Sequence, residues 1–407
     1  MEGEVALDVA GQVELWIKMD RVPMVAAVER ASGHEGQADG GLATLGEMTK
    51  QAATVERGAP APMRIGVLHD RPPDDGGESF ERMARLGVDE VAASGGLDRP
   101  VEFVHEMGRG LPGGTARAVE DAFAALSDAG VLGIVGPAVS DNGLVARDLA
   151  DAAKLPCINF TGGEQTRSEW MFHYQIGSLE DEPILVARAL AARGVTHVAV
   201  VMERSPSGRR YAEFFEQVCP ALGIEIVTRV GVSPVAQDLC DVVEGLRRNE
   251  PGALVYLGLG LSAYPLGNAL RELDWTPLVA ANSALMFGYA YPDFARLWEG
   301  WLYVDGVADD NRLLRALRER LGPEAAPGPA LPSAYDLGRL VALGLGLSES
   351  LTRRGLRDGL ERVKGVPAAL GREGTTMGFG QWERSALKGQ FLVVRQWVDG
   401  ESVEVDG

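Results

Sequence analysis

The stretch GIVGPAVSDNG, residues 133–143, contains the pattern from which the fold follows. The apolar run VLGIVG (131–136) is short, β-branched and bounded by glycine and proline, which is typical of a buried strand. Ser140, Asp141 and Asn142 come next, and these are favoured N-cap residues ahead of the helical pattern LVARDLADAAK. The stretch therefore predicts a strand, a polar corner and a helix. The corner either caps the helix or also holds a ligand.

The same alternation of strand and helix runs along the chain from Met63. The predicted strands are MRIGVLH (63–69), VEFVHE (101–106), VLGIVG (131–136), PCINF (156–160), HVAVVM (197–202), IEIVTRV (224–230), ALVYLG (253–258) and PLVAAN (277–282). Helical patterns between them predict right-handed βαβ crossovers and parallel sheets covered on both faces. Because the series runs twice, we expect an α/β protein with two Rossmann-like lobes, each able to bind ligands at the carboxyl ends of its strands.

Length and composition limit the classes of function. A chain of 407 residues with 46% hydrophobic and 24% charged residues is expected to form two globular domains. The net charge of −19 argues against a nucleic acid or an anionic membrane surface as partner. No apolar run approaches the ~20 residues of a membrane helix, so we expect no direct membrane insertion.

Residues 1–62 differ from the rest, being rich in glycine and alanine in places and ending in ERGAPAP. We treat them as an N-terminal extension of undecided role. The acidic start lacks the basic and long apolar regions of a signal peptide, and no early cysteine is present to carry a lipid. As written, the sequence therefore predicts a cytoplasmic protein.

The sequence gives little support to catalysis. GRGLPG (108–113) and GLGLSA (258–263) mimic a dinucleotide fingerprint, but the strands that follow them end in Gly136-Pro137 and Asn282 and supply no acid for a ribose. A G-x-S-x-G elbow is missing, and the histidines and cysteines form no metal-ligand pattern. We expect no catalytic residue, no cofactor and no metal.

Four polar, glycine-rich corners follow predicted strands at corresponding places in the two series. They are SDNG (140–143), TGGEQTR (161–167), SPSGRR (205–210) and NSALMFGY (282–289). Helix N-termini attract carboxylates, and hydroxyls and amides add directional hydrogen bonds. Together the corners predict one shared binding cleft.

From about residue 63 to 398 the chain resembles the type I periplasmic binding proteins, in particular the leucine/isoleucine/valine-binding branch that serves ABC transporters. The stretches that carry the resemblance are GVLGIVGPAVSDNGLVARDLADAAKLPCINFTGG, HVAVVMERSPSGRRYAEFFEQ and GFGQWERSALKGQFLVVRQWVDG. The resemblance implies two lobes joined by three hinge strands. Lobe one would comprise 63–176 plus 306–377, and lobe two 177–305 plus 378–407.

The resemblance also implies roles for individual residues. Ser140 and nearby N–H groups would bind a ligand carboxylate, helped by the next corner at Thr161, Gly162 and Gly163. Ser207 stands where the family usually has an aromatic residue.

Two further positions in lobe two also depart from the family. Leu259 stands where a second aromatic residue is common, and no acid for a ligand ammonium is found near Asn282, although Asp141 is a candidate substitute. These departures weaken the case for a branched-chain amino acid and leave an amide or organic acid open.

The expected function is a non-catalytic solute-binding protein that closes two lobes over a small molecule and delivers it to an ABC transporter permease. Two alternatives stay open. One is an intracellular sensor of the same fold that reports the ligand to a protein partner. The other is a nucleotide-dependent α/β enzyme that uses Gly108 or Gly258. Members of the resembled family are usually periplasmic or in the cell envelope.

Overall fold

The computed structural model of this chain describes residues 60–71 and 76–406. The predicted extension at 1–62 lies almost wholly outside the described residues. The described chain forms two layered α/β lobes, which confirms the predicted fold class.

The first sheet contains five parallel strands in the order β2-β1-β3-β4-β5. The strands are β1 (Met63–His69), β2 (Val101–Met107), β3 (Gly133–Val135), β4 (Cys157–Asn159) and β5 (Met171–His173). The helices between them are α1 (Glu78–Ala93), α2 (Ala116–Asp128) and α3 (Ser140–Ala153). The corner quoted at the outset is thus the connection from β3 to α3.

The second sheet repeats this arrangement. Its parallel strands are β6 (His197–Glu203), β7 (Glu225–Val232), β8 (Ala253–Leu257), β9 (Leu278–Ala281) and β10 (Leu302–Asp305). Its helices are α4 (Glu182–Ala192), α5 (Pro206–Val218), α6 (Cys240–Arg247), α7 (Ala263–Glu272) and α8 (Pro292–Leu297). The order β7-β6-β8-β9-β10 matches that of the first sheet, so β6 corresponds to β1 and β8 to β3.

Strands of both sheets are buried on two faces, as expected for parallel sheets. Along β6, Val198 and Val200 pack into one hydrophobic core, whereas Ala199 and Val201 pack into the core on the opposite face. All five residues of β8 are buried. The near-continuous apolar runs in the sequence reflect this two-sided burial.

The chain then returns to the first lobe and forms three helices there. These are α9 (Arg312–Leu321), α10 (Ala330–Gly346) and α11 (Arg353–Leu360). Helix α10 packs against α1 at very short range, because a Cβ atom at Gly338 would overlap the carbonyl oxygen of Ala84. Glycine is therefore required at this crossing.

The last part of the chain forms a small antiparallel sheet and then the edge of the second sheet. The strands are β11 (Val366–Pro367), β12 (Thr376–Met377), β13 (Leu387–Lys388), β14 (Val393–Val398) and β15 (Glu401–Val405). Strand β14 pairs with β10 and β15 in antiparallel fashion.

The third passage between the lobes lies later than predicted. Residues 378–388 were expected to begin the tail of lobe two, but Phe379 and Leu387 pack in the core of lobe one. The main chain folds back where Gly380 N–H donates to the Glu383 carbonyl at 2.8 Å, and β12 then pairs with β13. The chain crosses to lobe two only between β13 and β14, because β12 pairs locally rather than with the long strand that follows.

A buried carboxylate anchors the first passage, residues 174–178, to lobe one. Asp336 on α10 accepts the Tyr174 hydroxyl at 2.9 Å and the N–H groups of Ala369 and Leu370 at 2.9 and 3.3 Å. The side chain of Asp336 is fully buried, so water does not reach these donors to replace it as their hydrogen-bond partner.

We expect Asp336→Ala to lower the free energy of unfolding by about 2–4 kcal/mol, because it leaves three buried donors unpaired. Urea denaturation measures the change. Asp358→Ala, on the surface of α11, is the control and should change stability by less than about 0.5 kcal/mol. Equal effects of the two substitutions would contradict the role given to Asp336.

Candidate functional site

The corner after β3 is held by an internal carboxylate. Asp70, which directly follows β1, accepts the N–H of Ala138 at 2.8 Å and that of Val139 at 2.9 Å. Asp70 also accepts the side-chain amide of Asn142 at 2.8 Å. The same amide exchanges hydrogen bonds with the main chain of Leu111 at 2.8 and 3.0 Å. Asn142 was expected to contact ligand, but its side chain is engaged in fixing the corner.

The corresponding corner of the second sheet is built in the same way. Glu203 is the last residue of β6 and accepts the N–H of Leu259 at 2.6 Å and that of Ser262 at 2.9 Å. It also accepts the hydroxyls of Ser262 and Tyr256. The main-chain N–H of Leu259 is therefore occupied by Glu203.

A third carboxylate supports the corner after β9. Fully buried Glu182 accepts the N–H of Ser283 at 2.6 Å, the N–H of Ser178 at 2.7 Å and the Tyr211 hydroxyl at 3.3 Å. Burial raises the pKa of Glu182 to about 7, although these hydrogen bonds oppose the rise. The adjacent Asn282 side chain bonds the main chain of Gly258 at 2.8 and 3.1 Å and thus joins the ends of β8 and β9.

The corner after β4 contributes both structural and cleft-facing groups. The hydroxyl of Thr161 donates to Asn159 Oδ1 at 2.9 Å. The main-chain carbonyl of Thr161 accepts a hydrogen bond from His173 Nε2 at 2.8 Å. Burial lowers the pKa of His173 to about 3, so this histidine is neutral. The N–H of Gly162 donates to the Ser140 hydroxyl at 3.3 Å, which leaves that hydroxyl able to donate its own proton.

The two lobes meet at these corners. Asp141, in the first turn of α3, accepts the hydroxyl of Ser207, in the first turn of α5, at 2.8 Å. Their exposed fractions are 7% and 1%. Nearby, the Arg71 guanidinium of lobe one lies 5.1 Å from the centre of the Phe287 ring of lobe two. The lobes are closed on each other at the predicted cleft.

The predicted site residues fall into two groups. Residues that lie where the lobes meet are Ser140, Asp141, Gly162, Gly163 and Ser207. Residues that instead fix the corners from within are Asn142, Thr161, Leu259 and Asn282.

Sequence reasoning missed the carboxylates Asp70, Glu203 and Glu182, together with Tyr211. The positions of Asp70 and Glu203 could have been noticed in the sequence. Asp70 directly follows the first strand of its repeat, in VLHD, and Glu203 ends the first strand of the second repeat, in VVME. Tyr211 is four residues after Ser207, and its hydroxyl would lie 3.6 Å from a Cβ atom at Gly162. An aromatic side chain therefore does reach the cleft from lobe two, from a different position than expected.

The fold and the site define a protein of two similar α/β lobes with a polar interface at their strand ends. Residues 62–391 match the family model described as periplasmic binding protein, and the chain belongs to that family. This confirms the resemblance to periplasmic binding proteins found in the sequence. A search of curated protein sequences gives no match to this chain.

Solved structures share the fold at low sequence identity. An ABC transporter substrate-binding protein from Desulfitobacterium hafniense, in complex with Leu, is 18% identical with a TM-score of 0.69, over 85% of this chain and 100% of that one. A type 1 periplasmic binding protein from Bordetella pertussis is 18% identical with a TM-score of 0.72, over 85% of this chain and 100% of that one. A leucine-binding protein from Thermotoga maritima is 17% identical with a TM-score of 0.68, over 84% of this chain and 98% of that one.

Within residues 60–71 and 76–406, no helix has the length and apolar character needed to span a membrane. The same part of the chain holds no group of three or more histidine, cysteine or acidic side chains arranged for a metal ion.

We expect the Asp141–Ser207 hydrogen bond to stabilise the closed arrangement of the lobes. A double-mutant cycle of Asp141→Ala and Ser207→Ala should give a coupling energy of about 1–2 kcal/mol in denaturation experiments. Each variant should also show a larger radius of gyration in small-angle X-ray scattering without ligand. Asp148→Ala, an exposed site on the same helix, is the control. The expectation would be contradicted if the effects of the two substitutions on unfolding free energy were additive and the radius of gyration did not change.

The pKa of Glu182 predicts a pH dependence of stability. A carboxyl whose pKa is raised on folding from 4.5 to about 7 binds its proton more tightly in the folded state. Its contribution therefore favours folding at low pH and is lost as the pH rises from about 4.5 through about 7. Glu182→Gln should flatten the fall in unfolding free energy over this range by roughly 1–3 kcal/mol. The exposed-site variant Glu213→Gln should leave the curve unchanged, and parallel curves for wild type and Glu182→Gln would contradict the prediction.

Proposed function

We propose that this protein is the substrate-binding component of an ABC transporter and closes its lobes over one small amino-acid-like, amide or organic-acid ligand. The observation that carries the proposal is the hydrogen bond of 2.8 Å from Ser207 Oγ to Asp141 Oδ1, which joins the first turns of α3 and α5 across the lobes. The D. hafniense protein bound to Leu and the leucine-binding protein of T. maritima share this fold and support a ligand of that size.

The mechanism is binding by hinge closure, with no covalent step, catalytic residue or cofactor. Rotation about the three passages between the lobes would open the corners to solvent and close them again over the ligand. Asp70, Glu203 and Glu182 fix the main chain of the corners before the ligand arrives. A fixed site has little freedom to lose on binding, which favours affinity.

The partner that fits this role is the transporter permease, which would read the closed form. We place the protein in the cell envelope together with its family. The cytoplasmic location predicted from residues 1–62 depends on a segment almost wholly outside the described residues, so fractionation of cells that make the full chain tests it. Recovery from the cytoplasm in complex with a regulator would favour the sensor alternative.

A melting screen against amino acids, amides and short-chain organic acids tests the proposed function. A ligand at 100 times its dissociation constant should add about 2.7 kcal/mol of stability and raise the melting midpoint. Ser140→Ala should weaken binding of that ligand and leave the melting midpoint of the protein without ligand nearly unchanged. The reason is that, among the described residues, the Ser140 hydroxyl accepts only one long hydrogen bond, from the N–H of Gly162. If Ser140→Ala lowers only the unliganded midpoint, Ser140 serves the fold rather than the ligand.

A further inference from the structure

We propose that closure of the lobes takes up one proton from solvent at Glu180, so that the closed form is favoured at mildly acidic pH. The inference rests on the hinge closure of the proposed function and names a regulation of that closure. It follows from an acidic side chain at the start of lobe two that faces an acidic side chain of lobe one.

Glu180 lies where the two lobes meet beside the first passage, two positions after residues 174–178. The main-chain N–H of Leu179 donates to the Gly162 carbonyl at 2.8 Å, which sets the corner after β4 against the start of lobe two. Glu164 follows in the same corner, and both its main chain and its charge act on the Glu180 carboxylate. The two acids therefore face each other between the lobes, and rotation of the lobes away from each other separates them.

The carboxylate of Glu180 is buried there without full neutralisation. Its side chain is 14% exposed, and within the described residues its Oε1 atom is buried and receives no hydrogen bond. The Nε atom of Arg210, on α5, lies 3.7 Å from this oxygen, which is too far for a hydrogen bond. The Arg210 guanidinium also lies 3.6 Å from Glu213 and 4.3 Å from the centre of the Phe214 ring. Its charge is thus shared among several neighbours.

The proton affinity of Glu180 depends on the opposite lobe. Burial, and after it the charge of Glu164, raise the pKa of Glu180 to about 7, although Arg210 and main-chain hydrogen bonds oppose the rise. When the lobes separate, Glu180 loses Glu164 and regains water, and both changes lower its pKa toward the ordinary value of 4.5. The closed form therefore binds the proton more tightly than the open form.

This difference in proton affinity fixes the direction of the pH effect. A carboxyl whose pKa is higher in the closed form favours closure when it is protonated. The advantage of the closed form is present below pH 4.5 and is lost as the pH rises through about 7. Between these limits the ratio of closed to open protein should fall by up to about tenfold per pH unit.

The neighbouring acids of the same segment are bonded differently. Asp181 accepts the hydroxyl of Ser178 at 3.0 Å. Glu182 also has a raised pKa, but its hydrogen bonds come from residues on the lobe-two side, namely Ser178, Tyr211 and Ser283. These partners move with Glu182 when the lobes separate. Glu180 is therefore the acid of this segment whose surroundings change with closure.

Small-angle X-ray scattering of the full chain without ligand, from about pH 5 to about pH 8 at constant ionic strength, tests the inference. We expect the radius of gyration to increase with pH over this range, because the closed fraction falls. No ligand is added, so the result is independent of the melting screen.

Three variants identify the group that titrates. Glu180→Gln imitates the protonated side chain and should stay compact up to about pH 8. Glu164→Gln removes the opposing charge and should reduce the change in the radius of gyration. Its fold should persist, because the Glu164 side chain is 47% exposed and its ion pair with Arg167 is long, at 3.7 Å. Glu319→Gln, at an exposed site on α9, is the control and should respond to pH as wild type does.

A radius of gyration that does not change with pH would overturn the inference and leave the proposed function standing. A pH response that persists unchanged in both Glu180→Gln and Glu164→Gln would also overturn it, because the response would then belong to another interface acid such as Asp141. Failure of the melting screen would count against the proposed function and not against proton uptake on closure.

Discussion

Buried carboxylates at the ends of parallel strands are the constraint on which the rest of the structure depends. Each corner that joins a strand to the next helix presents main-chain N–H groups without helical partners, and these groups cannot remain unpaired once the lobes bury them. Asp70 and Glu203 satisfy them from the neighbouring strand. The glycine-rich corners thereby acquire a fixed shape.

This solution is repeated in both lobes because the lobes share a strand order. Asp70 follows β1 and Glu203 ends β6, and each carboxylate reaches the corner of the strand beside its own. The two-lobed architecture thus places two fixed edges opposite each other. Side chains such as Asp141 and Ser207 then meet across the interface between these edges.

Much of the fold and part of the site were predictable from local pattern. The apolar runs and helical periods indicated both sheets, and polar residues after strands indicated the corners. Ser140, Asp141 and Ser207, which the sequence predicted to bind ligand, lie where the lobes meet, and their binding role stays a prediction. The side chains of Asn142, Thr161 and Asn282 instead bond within the corners. The sequence could not show this, because amide and hydroxyl groups suit a ligand and a buried corner equally well.

The sequence by itself determined the alternation of strands and helices, the duplication of the α/β unit and the polarity of its corners, because these depend on neighbouring residues and on burial of apolar faces. Tertiary structure decided which corner each carboxylate occupies, where the third passage crosses, and that Asp141 faces Ser207. Those features join residues far apart in the chain, and the Asp141–Ser207 bond alone spans 66 positions. Hydrogen bonding between such distant groups depends on how the two lobes pack, which no local pattern records.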